Sequence, residues 1–172
     1  MAMKPKIKEE KARKSGGSKL TRSETVTVRL DPKLRYLAEL AARTQRRTLS
    51  SYIEWTIDGS LEEVSVVDYS TQGHATKTLQ ALKERLWAID EVDRLINLAL
   101  ICPQLMDFEE QHQWKVISET EQFYCVDGEI IISFVKEHWA VIKKYVAGEI
   151  SEEQWQDSKT DIYPWQGINR NE

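Results

Sequence analysis

The sequence predicts a mainly α protein in two parts: a short strand followed by two helices, then a separate all-α domain. Three observations lead there. Residues 25–30 alternate strictly between polar and apolar, and two capped amphipathic helices follow at once. Apolar stripes at helical spacing run through the second half, which also holds five of the six tryptophans. The charge is divided, with 14 Lys and Arg against 5 Asp and Glu in residues 1–47, and 10 against 23 in residues 48–172. A basic front end joined to an acidic body suits a protein that holds a polyanion at one end only.

Residues 1–23 are basic and broken by Pro5 and by Ser15-Gly16-Gly17-Ser18, which reads as a flexible arm. In the next stretch Thr25, Thr27 and Arg29 point one way and Val26, Val28 and Leu30 the other, the pattern of a half-buried strand. Asp31-Pro32 then supplies a helix cap and a proline at the first helical position, where its missing amide hydrogen costs nothing. Leu34, Leu37, Leu40 and Ala41 form one stripe before Arg46-Arg47 closes the helix. Thr48 caps a second helix, with Ile53, Ile57 and Leu61 at four-residue spacing. This module spans residues 24–61.

Residues 62–76 show no clear period and read as a linker or an unassigned stretch. A single helix is expected through Leu79, Leu82, Leu86, Ile89, Val92, Ile96 and Ala99, ended by Pro103. Asp107 with Glu110 three residues later resembles a capping pair opening a helix through Phe108, Trp114 and Ile117. A further helix starts near Asp127 and carries Ile130, Ile131, Phe134, Val135, His138, Val141, Ile142 and Tyr145, with Gly148 as its end signal. Ser151–Trp155 is expected to start one more short helix, completing an all-α domain at 77–157, followed by a loose tail at 158–172.

Composition narrows the function classes. With 41% hydrophobic and 30% charged residues, the chain has enough apolar material for a core. No apolar run approaches the roughly 20 residues of a membrane span, so a cytoplasmic protein is expected. Cys102 and Cys125 match no disulfide framework and are read as reduced core residues. His74, His112 and His138 have no familiar metal-ligand spacing, and no cofactor is expected. Asp90, Glu91, Asp93, Glu109 and Glu110 fall where helices show their wet faces. With no phosphate loop or nucleophile motif, no enzyme activity is expected.

One strand and two short helices cannot bury their own apolar face. If two copies pair Thr25–Asp31 antiparallel, the valines and Leu30 cover the helices. The opposite face then becomes a two-stranded ribbon that fits the major groove of double-stranded DNA. Arg29 has the donor geometry for guanine O6 and N7, and Thr25 and Thr27 carry hydroxyls and methyls suited to base edges.

Through Thr-Val-Thr-Val-Arg-Leu-Asp-Pro (25–32) and Arg-Arg-Thr-Leu-Ser-Ser-Tyr-Ile (46–53), the sequence resembles the ribbon-helix-helix superfamily. That superfamily includes the Arc, MetJ and CopG repressors and many bacterial antitoxins. The resemblance covers about 40 residues of the chain. It implies a DNA-binding homodimer in which Thr25, Thr27 and Arg29 face bases. Thr48, Leu49 and Ser50 then hold a phosphate at the start of the second helix.

The turn before that helix often holds Asn or Gly in relatives. Here it carries Arg46 and Arg47, less typical and more basic, which together with Lys19 and Arg22 are expected at phosphates. Val26, Val28, Leu30, Leu37, Ile53 and Ile57 are expected to form the dimer core. The leading expectation is a transcriptional repressor acting as a homodimer or tetramer, with the helical domain serving oligomerisation or a partner. The alternatives are an antitoxin that binds a toxin through that domain and a plasmid or phage partition protein.

Overall fold

A computed structural model describes residues 26–160. Two helices come first, α1 (Pro32–Thr44) and α2 (Leu49–Ser60). A hairpin of β1 (Ser65–Asp68) and β2 (Ala75–Thr78) follows. Then come α3 (Leu79–Leu86), α4 (Glu91–Ile101), α5 (Phe108–Ser118), α6 (Ile132–Val146) and α7 (Glu152–Thr160). The fold is mainly helical, with this one small antiparallel sheet among the described residues. No helix among them is long and apolar enough to cross a membrane.

The helix starts follow from side chains that satisfy the unpaired amides of the first turn. Asp31 accepts from Lys33 N at 2.9 Å, Thr48 Oγ1 from Ser51 N at 3.2 Å, and Thr78 Oγ1 from Ala81 N at 3.2 Å. At α5 the capping is reciprocal: Asp107 accepts from Glu110 N at 2.8 Å, and Glu110 accepts from Asp107 N at 2.9 Å. Ser151 and Gln154 exchange similar bonds ahead of α7, which runs past the expected end to Thr160.

Three expectations need correction. The stretch 62–76, a linker or unassigned by its sequence, holds β1 and the turn into β2. Val66 packs there against Leu82, Ile101 and Cys102, so the second body is not all-α and begins before residue 77. The long helix from Leu79 is two helices. Asp90 accepts from Val92 N and Asp93 N and starts α4 afresh, which leaves Trp87 and Ile89 63% and 68% exposed in the connection. Cys125 is exposed in the turn before α6, whereas Cys102 is fully buried and both are free thiols.

Two regions of core organise the second body. The larger gathers α4, α5, α6 and α7 around Phe123, Ile117, Val135 and Ile142, each with no exposed surface, and Trp155 stacks on Tyr145 at 5.4 Å. The smaller lies beneath the hairpin, where Asp68 is fully buried. Lys77 Nζ and Arg85 reach its carboxylate at 2.8 and 2.7 Å, and Ser70 donates to it as well. Led by Lys77 and Ser70, these donors outweigh desolvation and hold the Asp68 carboxyl well below the ordinary carboxylate range.

The end of α2 is tied to this body. Leu79 N donates to Val64 O at 2.9 Å, Gln80 N to Leu61 O at 3.2 Å, and Lys83 pairs with Asp58 at 2.7 Å.

Candidate nucleic-acid interface

The amino-terminal module contrasts with the packed body behind it. Residues 26–30 belong to no strand among the described residues, and both faces of the alternation are open: Val26 is 79% and Val28 64% exposed, while Thr27 and Arg29 are also exposed. Leu30 and Ile53 are half-buried, Leu37 and Ile57 are exposed, and Ala42 is the only buried residue of α1. A single chain therefore does not bring the expected dimer-core residues together. It lays out Val26, Val28, Leu34, Leu37 and Ile57 as apolar surface on a module too small to enclose it. Thr25, Lys19 and Arg22 lie outside the described residues.

The turn between α1 and α2 has a defined geometry. Arg46 N donates to Arg43 O at 3.0 Å and Arg47 N to Ala42 O at 2.9 Å, the two bonds of a Schellman ending. That ending requires a left-handed residue, and Arg46 takes it with φ 55°. The same ending closes α6. There Gly148 N donates to Tyr145 O and Glu149 N to Lys144 O, and the left-handed position is filled by Gly148 with φ 73°. A side chain there costs roughly 1–2 kcal/mol that glycine avoids. Position 46 thus carries a charged residue where the backbone favours glycine.

Beyond the turn, Thr48 caps α2, and Leu49 and Ser50 supply the amides of its first turn, next to Arg46 and Arg47, which are both exposed. The Arg47 guanidinium lies 5.3 Å from the centre of the Trp55 ring. The sequence reading passed over Trp55. Two residues from both Ile53 and Ile57, it sits about 200° around the helix from the apolar stripe, which was the available signal.

Opening Arg46→Gly follows from the same geometry. Thermal denaturation of the variant is expected to match or exceed the parent by up to about 1 kcal/mol, since relief of strain is partly offset by a more flexible unfolded chain. A drop of 1 kcal/mol or more would mean that the Arg46 side chain makes contacts that stabilise the turn.

The carboxylates set aside as wet helix faces are engaged in the structure. Along a cleft of about 400 Å³ beside α4 and α5, Glu91 accepts from Trp139 Nε1 and Lys143, each at 3.0 Å. The indole hydrogen bond first, with the bond and charge of Lys143, lowers the Glu91 carboxyl below its ordinary range against desolvation. Glu109 accepts from Gln113, and Asp93 pairs with Lys136. His138 Nδ1 lies 2.9 Å from Phe134 O, and among the described residues no three His, Cys, Asp or Glu side chains gather as a metal-binding group. Compared with known proteins, the chain matches no family model, no characterised protein and no solved structure.

Proposed function

We propose that the chain is a sequence-specific DNA-binding transcriptional repressor that works as a homodimer, pairing residues 25–31 of two copies into a ribbon for the major groove. The exposed apolar side of the amino-terminal module carries the reading. Val26 and Val28 alternate with Thr27 and Arg29 on a segment without a strand partner among the described residues, beside helices whose Leu34, Leu37 and Ile57 are exposed. A second copy supplies both the missing strand and the missing cover. The polar side then becomes a surface of paired Thr27 and Arg29 residues, flanked by the capped start of α2 and its two arginines. The helical body adds oligomerisation or a protein partner, and the exposed Trp87, Ile89 and Phe108 support a contact role for it.

On this reading the ribbon and the arm contribute differently. Arg29→Ala is expected to weaken binding at the specific site by about 1–3 kcal/mol and to relax preference at one base position. Deleting residues 1–18 is expected to weaken binding to all duplexes and to flatten its salt dependence, because lysines there meet phosphates common to every sequence. Genome-wide protection mapping followed by binding titrations on specific and mixed-sequence duplexes measures both. Equal losses for Arg29→Ala on the two duplexes would remove the ribbon as the reading element.

A further inference from the structure

A tryptophan on the wet face of a helix needs a reason, since its ring is large and apolar. Trp55 is 47% exposed and lies opposite the Ile53 and Ile57 stripe. Its two aromatic contacts are Tyr52, with ring centres 5.9 Å apart, and the Arg47 guanidinium at 5.3 Å. Arg47 is fixed at its backbone by the bond from its amide to Ala42 O, so the ring acts on the part of the residue that is otherwise free. A long arginine side chain loses much rotamer freedom when it engages a ligand, and a stacked guanidinium has lost some of it already while keeping its edge donors open. Asp58, the acidic residue one turn beyond Trp55, is paired with Lys83 at 2.7 Å, so its charge is balanced within the chain.

We propose that Trp55 is a positioning residue for DNA binding, whose ring holds the Arg47 guanidinium along the outer face of α2 so that it is in place for a backbone phosphate. This role rests on the DNA-binding reading above. It assigns Trp55 to the strength of binding and leaves base preference to the ribbon, because phosphate contacts carry no sequence information. It also accounts for the pairing of an atypical basic turn with an aromatic eight residues further on.

The test uses the full chain and a mixed-sequence duplex, with binding followed by fluorescence anisotropy over a sodium chloride series. Trp55→Ala is expected to weaken binding about threefold to tenfold, two copies of the stack being lost per dimer. Trp55→Phe keeps a π face and should recover most of the loss. Trp55→Leu keeps the bulk without that face and should behave like Trp55→Ala. Arg47→Ala should reduce the salt slope by about 2, one phosphate contact per protomer. In the Arg47→Ala background, Trp55→Ala should have no further effect.

A loss from Trp55→Ala that persists undiminished without Arg47, or full binding by Trp55→Leu, would overturn the positioning role while leaving the DNA-binding reading intact. Absence of salt-dependent duplex binding by the parent chain would overturn both. Sedimentation and circular dichroism of each variant separate a binding defect from a folding defect. If Trp55→Ala is misfolded, the comparison of Trp55→Phe with Trp55→Leu decides.

Discussion

Phe123→Ala is expected to destabilise the helical body by about 3–5 kcal/mol, the loss for a large buried aromatic whose neighbours cannot collapse into the gap. Phe123 has no exposed surface, sits among Ile117, Val135 and Ile142, and lies 6.0 Å from the His138 ring. Its carbonyl also accepts from Ile131 N at 2.7 Å, which ties the residue to the approach into α6, so the cavity opens where two segments meet. Phe108 is the comparison: 73% exposed at the start of α5, it should change stability by no more than about 0.5 kcal/mol when replaced by alanine. Urea denaturation followed by circular dichroism measures both. Similar losses for the two would place Phe108 under cover, by a partner chain or a second copy.

These two phenylalanines also mark the reach of sequence reasoning here. Helix starts were legible wherever a side chain bonds its own first turn, as at Asp31, Thr48 and Asp107 with Glu110, because that chemistry is local. Phe108, expected on the helix that Asp107 opens, is exposed, while Phe123, on none of the expected helices, is at the centre. The break between α3 and α4 was also written locally, in Asp90 followed by Glu91 and Asp93. The continuous spacing of Leu86, Ile89 and Val92 concealed it.

The hairpin was hidden for a different reason. Its inward face carries Val66 and Asp68, so a buried carboxylate stands where an alternating pattern needs an apolar residue. The partners that make this tolerable, Lys77 and Arg85, lie 9 and 17 residues away, and only the folded chain brings them to Asp68. The candidate interface was legible in its order and in its basic turn. That Arg46 occupies a left-handed position, and that Trp55 stacks on Arg47, depend on backbone angle and helix phase.

Val28→Asp should have the largest effect on function, abolishing the dimer and duplex binding together. In one chain Val28 is 64% exposed, so the new carboxylate meets water and the helical body should keep its circular dichroism and its melting transition. In the proposed dimer the same position faces the helices of both copies. Two symmetry-related carboxylates would be buried there without partners, at several kcal/mol each. Such a penalty is large compared with what a short two-stranded ribbon contributes, so sedimentation should show a folded monomer.

Thr27→Asp provides the contrast, since its side chain lies on the other face of the alternation. That variant should remain a dimer and lose duplex binding through repulsion of the phosphates, which high salt would soften. A Val28→Asp protein that stays dimeric and binds DNA would show that residues 25–31 do not pair across the dimer, and the uncovered valines would then require another partner.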